Sequence, residues 1–202
     1  MSENCFMKEF ENIYRLKVPF GNIYTSVFLL TSEKSSVLID CATTPSDVDN
    51  IIIPALNGIG HGIGEFKYLV LTHRHSDHAG GLKRLLEIAP CLEIITDVRE
   101  IFESVYTYSL AGHTDDSIGV FDGRRNTLIS GDGLQGFGVD KYRCAVKSKE
   151  KYLDTLEKIK NDSRIENIVF SHAYEPWFTD RIFGREAVLD CLDVCKKYIT
   201  EI

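Results

Sequence analysis

The chain has 202 residues, of which 44% are hydrophobic and 26% charged, with a formal charge of −7 at neutral pH. This length suits one domain, residues 1–202, with a sizeable core, and the composition excludes disordered and fibrous classes. The acidic balance argues against a surface built for nucleic acid, since the densest basic stretch, Lys141 to Lys151, is interleaved with Glu and apolar residues.

The opening MSENCFMKEF places acids where a signal peptide would be positive, and no apolar core follows. Apolar runs such as Val27–Leu30 and Leu69–Leu71 are too short to span a bilayer. A cytoplasmic protein without membrane or nucleic-acid partners, acting on a small molecule, is expected. The six cysteines (Cys5, Cys41, Cys91, Cys144, Cys191, Cys195) are scattered without a C-x-x-C pair, which is not a disulfide framework. Cys191 and Cys195, four apart on a predicted helix, are expected to pack inward as small apolar groups.

In chain order, alternation over Ile13–Val18, β-branched and aromatic residues over Asn22–Leu30, and a short apolar run at Ser36–Asp40 predict a β-meander. Pro45–Ser46–Asp47 opens a helix to about Asn57, with apolar residues at 48, 51, 52, 55 and 56. A glycine-rich loop, His61–Gly64, leads to a strand at Tyr68–Thr72, and a helix is expected from His78 to about Ile88. Strands are predicted at Glu93–Thr96, Ser117–Phe121, Thr127–Ser130 and Asn167–Ser171, with helices at Lys149–Lys160 and from about Arg181 to Ile199. The succession of strands, then mixed strands and helices, suits an α+β core of two sheets covered by helices.

The strand Tyr68–Thr72 runs directly into His73-Arg74-His75-Ser76-Asp77-His78, three histidines and a carboxylate within six residues. Imidazole nitrogen and carboxylate oxygen are the ligands of zinc, iron(II) and manganese(II). In an extended stretch His73 and His75 point the same way, while Asp77 and His78 fall where the chain turns into a helix. Gly80 and Gly81 allow close backbone approach there. Further along, His113 precedes a predicted strand, and Asp132 and His172 each follow one. Ligands on loops at strand ends are the expected way to assemble such a site.

The series H-x-H-x-D-H, Gly112-His113-Thr114, strand-end Asp132 and strand-end His172 resembles the metallo-β-lactamase superfamily, from about Phe20 to His172. Val37–Cys41 is similar to the family's Leu-Ile-Asp-Thr-Gly element, with Asp40 supporting the metal site and Cys41 and Ala42 where Thr and Gly are usual. The resemblance implies an αββα sandwich of two β-sheets flanked by helices. It also implies two divalent ions, zinc first and iron or manganese as alternatives. His73, His75 and His113 would hold one ion, Asp77, His78 and His172 the other, with Asp132 bridging. His61 lies outside that set and reads as a loop residue.

Two ions about 3.5–4 Å apart share and acidify a hydroxide and polarise a carbonyl or phosphoryl oxygen, which is hydrolytic chemistry. Asp77 is expected to orient that hydroxide as well as bind metal. Asp115 and Asp116, beside His113, either cap a turn or repel anionic substrates; the turn is preferred. Phe137, Lys141 and Tyr142, following Asp132, are candidate substrate residues, with Tyr142 hydrogen-bonding the carbonyl oxygen or leaving group. Lys141 is similarly placed to a glutathione-contacting lysine of glyoxalase II. That family's helical C-terminal extension is not matched, so glutathione specificity is not expected. Asp132 stands where the familiar exported β-lactamases have Cys. The expected substrate is therefore an ester, thioester or lactone. A mononuclear-iron oxidoreductase resembling persulfide dioxygenases, a phosphodiesterase or nuclease of the same fold, and a metal-binding module without turnover are the alternatives.

Overall fold

Short apolar runs form the centre of the first sheet. Ser36–Ile39 (β4) and Tyr68–Val70 (β5) pair in parallel, with Leu38 opposite Leu69 and Ile39 opposite Val70. In the computed structural model, which describes residues 4–33, 35–136, 146–174 and 178–201, Glu93–Ile95 (β6) continues the parallel edge. On the other side β4 meets Ile23–Thr31 (β3), then Ile13–Phe20 (β2) and Met7–Phe10 (β1), all antiparallel. The six strands thus lie in sequence order. Leu16, Val18, Val27, Leu29, Leu38 and Leu69 face the helical layer, where Val48, Ile52, Leu56 and Leu85 complete a core.

That layer differs from the expected pair of continuous helices. The segment from Pro45 begins with a capping box, Thr44 accepting from Asp47 N–H while Asp47 accepts from Thr44 N–H. After Pro45–Asp47 (α1), residues Val48–Ile52 form a π-helical turn before Ile53–Gly58 (α2). Pro54 explains the widening: it has no N–H to donate four residues back, and Ile53 N–H bonds the Val48 carbonyl instead. The expected helix 78–88 is broken into Ser76–Ala79 (α3) and Leu82–Ile88 (α4) at the two glycines.

The second sheet has the order β12-β11-β10-β9-β8-β7. Glu100–Phe102 (β7), Val105–Ser109 (β8), Ile118–Asp122 (β9) and Thr127–Ile129 (β10) run antiparallel, Asn167–Val169 (β11) joins β10 in parallel, and Arg181–Phe183 (β12) closes the edge antiparallel. Lys149–Asn161 (α5), capped by Ser148, and Arg185–Glu201 (α6) cover it. Tyr152, Leu156 and Ile159 of α5 share a core with Ile168 and Phe170 and with Val188, Cys191, Leu192 and Cys195 of α6. The two cysteines point inward as expected, both thiols donating to the Gly136 carbonyl at 2.8 and 3.1 Å.

The strands β1, β7 and β8 go beyond the sequence expectation, and the last helix starts later than expected. Arg181–Phe183 alternates exposed, buried, exposed, which is strand periodicity, and Gly184 at φ +88° separates it from α6. Residues 1–96 and 97–202 are two compact units, each with one sheet and its helices. Among the described residues no helix is long and apolar enough to cross a membrane.

Candidate metal centre

Each unit carries metal-ligating side chains at one edge of its sheet. In the first, β4 and β5 run parallel, so the residues that follow them, Asp40 and the segment from Thr72, emerge at the same edge. His73 and His75 lie with ring centroids 4.6 Å apart, and the ring of His78 is 4.2 Å from that of His73. Asp77 Oδ2 is 3.3 Å from His78 Nε2. His75 is exposed, whereas His73, Asp77 and His78 are buried.

Asp40, fully buried, fixes this group. Its Oδ2 accepts from His78 Nδ1 at 2.7 Å and from Thr72 Oγ1 at 2.8 Å, and its Oδ1 accepts from Thr72 N–H at 2.8 Å. With Nδ1 donating to the carboxylate, His78 presents Nε2 towards Asp77 as a lone-pair donor, the tautomer a metal ligand requires. Thr72, whose hydroxyl also lies 3.2 Å from His73 Nδ1, therefore joins Asp40 to two histidines. Its position directly before the histidine cluster was the only sequence signal for that role. Cys41 adds a second tie, since both its N–H and its thiol donate to the His78 carbonyl, at 2.8 and 3.2 Å. Burial and the neighbouring Asp40 raise the Cys41 thiol pKa well above its ordinary value, which keeps it a donor rather than a thiolate. The glycines after His78 are required by this lacing: a methyl on Gly80 would sit 1.8 Å from the Thr43 carbonyl oxygen.

In the second unit, β8–β9, β10 and β11 deliver three candidate ligands to one edge. His113 lies in the loop between β8 and β9, Asp132 follows β10, and His172 follows β11, which runs parallel to β10. The Asp132 carboxylate turns its two oxygens to different imidazoles. Oδ1 is 3.2 Å from His172 Nε2, and Oδ2 is 3.7 Å from His113 Nε2. All three residues are buried. Asp132 sits in a tight turn in which Gly133 N–H bonds the Ser130 carbonyl. The His113 loop is held by the start of α5: Ser148 N–H bonds the Gly112 carbonyl, and Thr155 Oγ1 donates to the Ala111 carbonyl.

The two acids beyond His113 serve that loop. Asp116 accepts from Thr114 Oγ1 at 2.7 Å. Asp115 is ion-paired with Lys147 and Lys151, which pull its carboxyl pKa down to about 2. Asp116 is thus engaged within the turn, in line with the preferred reading, whereas Asp115 ties the loop to Lys147 and to Lys151 of α5. His61 Nδ1 lies 3.4 Å from Glu65 in its own loop. Phe137, Lys141 and Tyr142 lie outside the described residues.

The donor types suit a borderline divalent ion. His73 and His75 offer nitrogens within 4.8 Å of each other, and the same holds for Asp77 with His78 and for Asp132 with His172. The superfamily profile described as "Metallo-beta-lactamase superfamily" matches residues 21–101. Over that stretch the chain is similar to the metallo-β-lactamase superfamily. Among curated relatives, the hydroxyacylglutathione hydrolase of Prochlorococcus marinus is 27% identical over 184 residues, covering 81% of this chain and 70% of its own length. Among solved structures, the mono-zinc form of the metallo-β-lactamase FIM-1 from Pseudomonas aeruginosa superposes with a TM-score of 0.73 at 16% identity, covering 96% of this chain and 95% of its own. A metallo-β-lactamase from Erythrobacter litoralis gives 0.71 at 17% identity, covering 98% and 96%. The fold is accordingly similar to that of these solved structures, α+β with two mixed sheets flanked by helices, and its His/Asp clusters fit a metal-binding hydrolase.

Proposed function

We propose that this protein is a member of the metallo-β-lactamase superfamily and a dinuclear metallohydrolase that cleaves a carbonyl ester, thioester or lactone. The ligand sets are those that the resemblance implies. His73, His75 and His113 hold the first ion, Asp77, His78 and His172 the second, and Asp132 bridges them. The observation that carries the proposal is Asp132, a buried carboxylate whose two oxygens face two different imidazoles. One carboxylate shared between two ions neutralises charge at both and sets their separation. Zinc is the first choice for a set of histidine and aspartate donors, with iron or manganese as alternatives.

When bound, the two ions supply an acidified water as nucleophile and a Lewis acid for the carbonyl oxygen. The chain's own residues do the rest. Asp40 holds the proton on His78 Nδ1 and so orients the ring, and Thr72 holds Asp40. Asp77, next to His78 Nε2, orients the attacking water by accepting its hydrogen bond. The name of the P. marinus relative describes hydrolysis of hydroxyacylglutathione, an acyl thioester, and supports placing thioesters first among carbonyl substrates. The net charge of −7 weighs against polyanionic substrates and nucleic-acid partners, and a cytoplasmic location with no membrane partner is part of the same proposal.

Metal analysis of the purified protein, coupled to side-by-side assays on thioester, lactone and phosphodiester substrates at neutral pH, tests the reading. About two equivalents of metal and a dominant carbonyl activity are expected. A phosphodiester rate well above every carbonyl rate overturns the substrate assignment. A single iron with oxygen-dependent turnover replaces the hydrolase with an oxidoreductase.

A further inference from the structure

After β11 the chain carries His172 and Tyr174, whose rings lie 5.2 Å apart at an interplanar angle of 34°. It returns through Phe178, Thr179 and Asp180 into β12. Phe170 N–H bonds the Asp180 carbonyl at 2.9 Å, and Val169 pairs with Arg181, so the returning strand runs antiparallel beside β11. Phe178 stands four residues beyond Tyr174 on that path. Its N–H bonds the Tyr174 carbonyl at 2.7 Å, tying the two aromatic residues together. Thr179 lies against the turn that follows Asp132: a methyl on Gly136 would come within 3.3 Å of its carbonyl oxygen.

Phe178 combines two unfavourable features. It holds φ +47°, a left-handed conformation that is an outlier for a bulky side chain, and its side chain is 64% exposed, the most of any large hydrophobic residue described. Neither contributes to folding stability. Both put an aromatic ring in the open one backbone hydrogen bond from Tyr174, whose own ring lies 5.2 Å from that of the proposed ligand His172, and apolar substrate surface would be removed from water against it.

We propose that Phe178 and Tyr174 form an aromatic wall beside His172 that selects substrates with a long apolar acyl chain, an inference that rests on the carbonyl-hydrolase reading above. Both are specificity residues that leave the bond-breaking step to the metal ligands. The substrate class becomes a medium-chain acyl thioester or ester in preference to an acetyl or a small hydroxyacyl one.

The test uses the metal-loaded protein, Phe178→Asn and, as a control, Phe183→Asn. Asparagine tolerates the left-handed conformation, so the backbone at 178 is kept. Phe183 is 50% exposed but pairs with Asn167, at the opposite end of β12. With N-acetylcysteamine thioesters from acetyl to octanoyl, wild-type kcat/KM should rise with chain length. Phe178→Asn should lose roughly tenfold on octanoyl, the contribution of about two buried methylenes, while acetyl turnover and metal content stay unchanged. Phe183→Asn should follow wild type. Binding of octanoate against acetate, read by calorimetry, supplies a measure independent of turnover, and the octanoate preference should fall by the same factor. If no thioester is cleaved, the placing of thioesters first among carbonyl substrates fails while the binding ratio still judges the wall. An octanoate-to-acetate ratio that is the same in wild type and Phe178→Asn overturns it.

Discussion

Asp40 offers the sharpest test of how the first unit prepares its histidines. Its buried carboxylate accepts three hydrogen bonds, from Thr72 N–H, Thr72 Oγ1 and His78 Nδ1. In Asp40→Ala the Thr72 hydroxyl can rotate towards His73 Nδ1, 3.2 Å away, but Thr72 N–H and His78 Nδ1–H lose their acceptor in a site that water does not reach. Each stranded donor costs about 1–3 kcal/mol, and Ala at φ +62° adds about 1 kcal/mol. The sum, about 3–7 kcal/mol, corresponds to a Tm lower by roughly 6–28 °C for a chain of this size. Asp40→Asn separates folding from metal binding. It keeps the shape and one acceptor, so most of the Tm should survive, but its amide N–H₂ cannot serve both Thr72 and His78 as the carboxylate does. Loss of the carboxylate behind a ligating histidine typically lowers metal affinity 10–100-fold. Thermal unfolding of the metal-free protein reads the first quantity, and competition with a chromogenic chelator reads the second. Asp40→Asn protein that binds metal within about twofold of wild type would refute the argument that Asp40 sets the His78 tautomer.

Two further outcomes follow from the ligand geometry and the backbone. Asp132→Ala should lower metal occupancy at both positions while His172→Ala affects chiefly one, as measured by metal stoichiometry; full retention of both ions in the Asp132 variant would show the bridge to be misassigned. Ala42, buried at φ +58°, occupies a conformation suited to glycine, so Ala42→Gly should relieve about 1–2 kcal/mol of strain and lose about as much through the buried methyl and backbone entropy. Urea unfolding should find it near neutral, whereas Ala55→Gly in α2 should cost about 1–2 kcal/mol.

The candidate metal ligands were legible because the chemistry restricts their identity and the sheets restrict their position. An ion accepts few side-chain types, and a strand end is where a short apolar run stops, so His73, Asp132 and His172 announce themselves next to Leu69–Val70, Leu128–Ile129 and Ile168–Val169. The interruption of the first helical layer was less legible, although its causes are ordinary residues. Pro54 widens a turn only because the segment is already helical, and Gly80 breaks a helix because Thr43 passes too close for a methyl group. Short edge strands such as Glu100–Phe102 and Arg181–Phe183 contain three residues each, too few for alternation to stand out.

What sequence could not resolve is which of several identical side chains does which work, because that depends on contacts far apart in the chain. Asp40, Asp115 and Asp132 are the same residue type on loops, and each resembles a candidate ligand when viewed alone. Asp40 meets Thr72 and His78, more than thirty positions away, and so holds a histidine in place. Asp115 meets Lys147 and Lys151, which spend its charge on anchoring the His113 loop to α5. Asp132 alone faces imidazoles with both oxygens. The partners decide the role: a carboxylate satisfied by N–H and O–H donors is a positioning group, one satisfied by ammonium groups is a tether, and one that turns an oxygen to each of two histidine nitrogens is placed to share a cation with them.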